Sequence, residues 1–164
     1  MTTAENKLRS LVEVYLQNEW KKIGIQTVIK NEPARVYFGE TVRKGTYPQL
    51  ALFKWVSAPE NPPKSVLYSK NIPTAANGYM GQNSGAYINK RVDKILDTIE
   101  GEFDANKRDQ LMHELLKIDT DELPTLPLYY RAQIAVFPKK LKGYAMTGHQ
   151  FYCTNFAENW VWDD

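Results

Sequence analysis

The sequence predicts an α/β fold with a mostly parallel sheet and packed helices. Three observations carry that reading. Helical and strand-like segments alternate through the first 56 residues, the order that builds parallel sheets. Two further amphipathic helices follow after residue 88. The chain has 164 residues, 43% of them hydrophobic and 24% charged, which suits one domain of roughly 150 residues with its own core.

The first helix is expected over residues 4–23. Leu8, Leu11, Val12, Tyr15, Leu16, Trp20 and Ile23 recur at helical spacing, and Gly24 stands where a left-handed cap is wanted. Residues 25–30 are short and rich in β-branched side chains, so they read as a strand. Asn31, Glu32 and Pro33 open a short helix over residues 34–42, which Lys44 and Gly45 end. Residues 49–56, a nearly continuous apolar run ending in Trp55 and Val56, read as a strand covered on both faces. Strand, helix and strand within this distance make a βαβ unit with a right-handed crossover.

Residues 57–87 change texture. Pro59, Asn61, Pro62, Pro63, Asn71, Pro73, Asn77, Gly78, Asn83 and Gly85 crowd a long irregular segment of the kind that carries function or runs over the surface. Asn89 then caps a helix with Val92, Ile95, Leu96 and Ile99 on one face. Asp104 caps another, with Leu111, Met112, Leu115, Leu116 and Ile118, stopped by Pro124 and Pro127. Residues 128–137 read as a last strand, before a Gly- and aromatic-rich end.

Charge and motif content exclude several functions. The net charge is +2 and evenly spread, so no basic patch marks a nucleic-acid or anionic-membrane surface. No apolar run reaches the ~18 residues that span a bilayer. Cys153 is the single cysteine, so no internal disulfide and no Cys/His metal spacing exists. No Gly-rich phosphate loop, nucleophile elbow or zinc-protease motif occurs. His113 lies four residues after Asp109 on a helix, the spacing of a surface pair, and His149 near Cys153 lacks a marked orienting group. No catalytic residue, metal or cofactor is expected.

The positional clue is stronger. Ligands of open parallel sheets sit beyond the carboxyl ends of the strands. The two central strands deliver Arg35, and then Trp55, Val56, Ser57, Glu60 and Asn61, to one such edge, with Asn83 in the long loop as a further candidate. Backbone groups around residues 54–57 could also pair with an extended ligand as a strand would. The alternative is that Trp55 packs in the core and the Pro-rich loop only turns the chain.

The order of features resembles the C-terminal lobe of the peptide- and oligopeptide-binding proteins that serve ABC importers. Leu16-Gln17-Asn18-Glu19-Trp20-Lys21-Lys22 leading into Ile23-Gly24-Ile25 resembles that family's "lqeqlkkiGi" segment. Gly45-Thr46-Tyr47 precedes the strand ending in Trp55, and Tyr87-Ile88-Asn89 with Val92, Asp93 and Leu96 resembles a family helix start. Arg108, Leu115 and Asp121-Glu122-Leu123-Pro124, then Pro127-Leu128-Tyr129-Tyr130, resemble the stretch that follows. Two positions depart: Lys54 stands where many members carry Gly, and Glu60 is the nearest carboxylate where oligopeptide binders carry an Asp for the ligand's ammonium.

The resemblance implies a type II periplasmic-binding-protein-like fold, with residues 1–164 as a partial C-terminal lobe. It implies a peptide or related small solute held in an interlobe cleft by hinge closure, and a missing N-terminal lobe. It also implies ABC permease subunits as partners, and a periplasmic or extracytoplasmic, membrane-associated location for the full-length protein. A stand-alone protein-interaction domain and an enzyme of unmarked type are the alternatives.

Overall fold

The computed structural model describes residues 1–56, 58, 61–130, 132, 134–147 and 153–163. The chain divides into two compact units, Met1–Lys54 with Pro62–Thr125, and Trp55–Asn61 with Leu126–Asp164.

The first unit is α/β, with a parallel sheet of three strands in the order β2-β1-β3. Strand β1 (Thr2–Ala4) lies in the middle, pairing Thr2 with Lys30 of β2 (Lys30–Glu32) and with Ala51 of β3 (Ala51–Leu52). This central strand was not expected from the polar start of the sequence. Its threonines are buried, and the Thr3 hydroxyl donates to the Leu52 carbonyl at 2.6 Å, so that polar group is satisfied inside the sheet. The expected βαβ unit is corrected accordingly: β2 and β3 are parallel but not neighbours, and the crossover passes β1.

The strand expected over residues 25–30 is displaced, sharing only Lys30 with β2, and the one expected over 49–56 shrinks to Ala51–Leu52. The register sets Thr2 opposite Lys30, so the β1–β2 ladder runs over residues 30–32, and the amino group of Met1 donates to the Val28 carbonyl at 2.7 Å before it. Propensity alone does not place a ladder.

Helix α1 (Lys7–Lys22) begins at Asn6, whose side chain accepts from the N–H groups of Leu8 and Arg9. It ends before Gly24, which takes φ +84° as a left-handed cap requires. Its facing differs from the expectation. Val12, Leu16 and Trp20 are half-buried around a fully buried Glu13, while Leu11 is 70% and Tyr15 64% exposed. The apolar residues occupy two sides of the helix, so periodicity alone could not choose between them.

Helix α2 (Ala34–Val36) passes into a π-helical turn over Tyr37–Val42. The wide turn aligns Tyr37, Thr41 and Val42 as its buried residues. With Ala4, Tyr37 and Val42 form a small core, packed by Ala51 and Phe53.

The larger core lies between helices α3 (Lys64–Leu67), α4 (Lys90–Gly101) and α5 (Ala105–Glu122). Val92, Ile95, Leu96 and Ile99 of α4 are all buried, as their spacing predicts, and Asn89 and Asp104 cap as expected. Burying each such aliphatic side chain contributes roughly 1.5–3 kcal/mol. The segment before α4 is more ordered than its composition suggests. Lys64 bridges Asp97 and Glu100 at 3.2 and 2.6 Å, the Tyr68 hydroxyl donates to Asp97, and Ser69 donates to Asp93. Leu123 closes α5 at φ +46°, and Pro124 follows.

In the second unit, β4 (Leu141–Lys142) pairs antiparallel with β5 (Val161–Trp162). The rings of Phe137, Tyr144 and Trp160 stack in series at 4.7 and 5.4 Å. Gly143 is required at φ +75°, where a Cβ would lie 1.9 Å from the Asn159 carbonyl oxygen. The strand expected over residues 128–137 is absent among its described residues. Tyr130, Ile134 and Val136 stand exposed with no described ladder partner, so their β propensity is not realised.

Candidate ligand-binding edge of the sheet

The three parallel strands end together at Ala4, Glu32 and Leu52. From β1 the chain leaves towards β2, and from β2 it crosses back to β3. That reversal makes the β1–β3 boundary the topological switch point, and open parallel sheets take ligands beyond the carboxyl ends of their strands at such a point.

The residues there combine aromatic surface with charge. Phe53, directly after β3, contacts Tyr37 at 6.4 Å and Phe38 at 6.2 Å, both edge-on. The Arg9 guanidinium stands 5.8 Å from the Phe38 ring centre. Phe38 is partly exposed, so this cluster presents an apolar face to solvent. The Tyr37 hydroxyl is buried among the Thr2 and Leu52 carbonyls, and burial pushes its pKa far above the ordinary value. Glu32 is held by Lys30 at 3.3 Å and by the Thr41 hydroxyl at 2.5 Å. Sequence reasoning missed Phe38 and Phe53. The aromatic pair at 37–38 was the available signal.

The expected site residues divide between the two units. In the first, Arg35 is exposed on α2, just past the end of β2. Asn83 is 1% exposed, and its polar atoms are engaged within the chain. Its amide donates to the Tyr68 and Tyr87 carbonyls at 3.1 and 2.8 Å, and its oxygen accepts from the Tyr87 N–H at 3.0 Å. Asn83 is thus a clasp for the loop that leads into α4. In the second unit, Trp55 is 49% exposed, Val56 is similar, and Asn61 is exposed where its N–H turns back to the Ala58 carbonyl. Ser57 and Glu60 lie outside the described residues, as does His149.

For chemistry on a ligand the arrangement offers little. Among the described residues no group of three or more His, Cys, Asp or Glu side chains could hold a metal ion. The Cys153 thiol is held below its ordinary pKa by the backbone at Thr147 and by the Tyr144 hydroxyl. His113 is exposed on α5. No helix is long and apolar enough to cross a membrane, among the described residues.

Comparison with known proteins gives these features a context. No family model matches the chain. It is 27% identical, over 134 residues, to the oligopeptide-binding protein OppA of Bacillus subtilis (strain 168), covering 81% of this chain and 23% of that protein. The oligopeptide-binding protein from Thermus thermophilus, solved with a pentapeptide, superposes with a TM-score of 0.77 at 33% identity, over 87% of this chain and 26% of that one. The chain is a relative of the peptide-binding solute-binding proteins and matches one part of them.

Two further structures share this solute-binding fold. NikZ from Campylobacter jejuni, solved with Ni(L-His), gives a TM-score of 0.63 at 24% identity, over 75% of this chain and 24% of that one. AppA from Bacillus subtilis, solved with a nonapeptide, gives 0.66 at 16% identity, over 99% of this chain and 31% of that one. The chain spans about a quarter of the length of these solute-binding relatives. The resemblance read from the residues agrees with these matches in family and in fold.

Proposed function

We propose that this chain forms part of the C-terminal lobe of the substrate-binding component of an ABC importer. That component captures a peptide or a related small solute in a cleft between two lobes, closes about a hinge and presents the solute to permease subunits. It works outside the cytoplasmic membrane and performs no chemistry on the solute. The observation that carries this reading is the superposition, at 33% identity, on a protein that was solved holding a pentapeptide.

Within that reading, the second unit offers Trp55 and Val56 as apolar surface and Ser57, Glu60 and Asn61 as polar groups for a ligand, and the first unit by itself offers Arg35 beyond β2. The backbone around residues 54–57 pairs with an extended ligand, giving affinity without reading its side chains.

One lobe offers only half the walls of such a pocket. Calorimetric titration of this chain with mixed tri- to pentapeptides is expected to give no saturable heat at micromolar concentrations. Micromolar binding by the chain alone would show that the site is complete within it, and the two-lobed reading would fail.

A further inference from the structure

Three separate strand exits bring one residue each to the same place beyond the carboxyl edge of the sheet. Arg9 lies in the first turn of α1, which follows β1. Phe38 lies in the π-helical turn that follows β2, and Phe53 is the residue directly after β3. The two rings meet edge-on at 6.2 Å, and the Arg9 guanidinium lies over Phe38, 5.8 Å from its centre.

A guanidinium drawn to a ring in this way gives up none of its N–H donors. Among the described residues no ion pair and no side-chain hydrogen bond engages Arg9. The carboxylates of the surrounding elements are spoken for: Glu32 is held by Lys30 and Thr41, Glu40 by Lys44, and Glu13 is buried. The first turn of α1 holds Lys7 and Arg9 and no acidic residue, the reverse of what the helix dipole favours. Its N–H groups at Leu8 and Arg9 are taken by the Asn6 side chain, so the donors left open are those of the guanidinium. An uncompensated cation beside a partly exposed aromatic ring, at the switch point of the sheet, complements an anion that carries an apolar group.

We propose that Arg9 reads the carboxylate of a ligand, while Phe38 and Phe53 receive the apolar group next to it. The fork of a guanidinium matches the two oxygens of a carboxylate, a pair that an amide end does not offer. The solute class is then peptides with a free carboxyl terminus and an apolar last residue. This rests on the functional reading above and sharpens its solute.

All three residues belong to the first unit, so the chain by itself serves for the test. The probes are N-acetylphenylalanine and N-acetylphenylalanine amide, titrated into the nitrogen-15-labelled chain. With the acid, the Arg9 Nε–H and Phe38 N–H signals are expected to shift and saturate at millimolar concentrations. The amide is expected to bind about tenfold or more weakly, since hydrogen bonds to a charged partner are lost. Added salt should weaken the acid and leave the amide unchanged. Arg9→Gln is expected to remove the preference for the acid, Arg9→Lys to restore part of it, and Phe38→Ala to weaken both probes.

The comparison of acid and amide on the parent chain needs no variant to fold. Equal binding of the two, no saturable shift with the acid, or shifts that leave Arg9 untouched overturns the proposal. So does a preference that survives Arg9→Gln. Pentapeptide titration of a graft, in which this chain replaces the matched segment of the Thermus thermophilus protein, reads the functional proposal separately. Peptide binding by the graft, without the acid preference in the chain, removes the role of Arg9 alone. The acid preference without peptide binding leaves the carboxylate subsite and removes the peptide receptor.

Discussion

The Tyr37 hydroxyl lies 3.2 Å from the Leu52 carbonyl oxygen and 3.1 Å from that of Thr2, so one buried phenol ties the π-helical turn to two strands of the sheet. The Leu52 carbonyl also accepts from the Thr3 hydroxyl. These bonds hold the carboxyl edge of β3, from which the chain runs into Phe53 and Trp55.

Tyr37→Phe keeps the ring and removes the shared donor. A cost of about 1–2 kcal/mol is expected, because Leu52 keeps the Thr3 bond and only part of the network is lost. Urea unfolding should show a lower midpoint with an unchanged slope. An unchanged midpoint would mean that the phenol holds nothing in place.

Asn83→Ala tests the loop clasp. It removes the Asn83 partner of the Tyr87 carbonyl and N–H, while the Tyr68 carbonyl keeps the Asn71 N–H at 3.0 Å, at a cost of about 1–3 kcal/mol. Differential scanning calorimetry should register a clear drop in Tm. A neutral substitution would return Asn83 to the candidate ligand residues.

Glu13 predicts a pH dependence. It is fully buried, and neither carboxylate oxygen has a hydrogen-bond partner among the described residues. Burial raises its pKa above the ordinary 4.5, opposed by the Asn31 side chain and the amino-terminal charge. A carboxyl whose pKa is higher folded than unfolded favours folding while protonated. That contribution is complete below pH 4.5 and is lost as pH rises through the folded value. Glu13→Gln cannot ionise, so its stability relative to the parent should grow from pH 4 to pH 8 in parallel urea titrations. A constant difference across that range would contradict the assignment.

Gly143→Ala places a methyl against the Asn159 carbonyl, at a backbone angle that side chains rarely adopt. The β4–β5 pairing and the Tyr144–Trp160 stack should be lost together, which near-ultraviolet circular dichroism would register. A variant that keeps the aromatic signal would show that the hairpin tolerates the shift.

How much was legible follows from particular residues. Helix α4 was read in full, because Val92, Ile95, Leu96 and Ile99 keep one helical period and Asn89 caps it. Helix α1 was legible as a helix but not in its facing, since apolar residues occupy both its sides. Strand β1 was illegible: three residues with two threonines look polar, and only the fold shows both buried and the Thr3 hydroxyl on the Leu52 carbonyl. The strand read over 25–30 lies instead at 30–32 and the one over 49–56 is only Ala51–Leu52, because β propensity does not fix the pairing register. Among site residues, the exposure of Trp55 follows from its place just beyond a strand's carboxyl end. Asn83 could not be read from sequence, because asparagine in a turn-rich stretch looks the same whether it clasps backbone or ligand.

The most direct test of the central claim is the pentapeptide affinity of the graft in which this chain replaces the matched segment of the Thermus thermophilus protein. Micromolar or tighter binding that weakens on Trp55→Ala, with the lone chain silent, is the outcome the account predicts. A graft that melts cooperatively yet shows no peptide binding would contradict it.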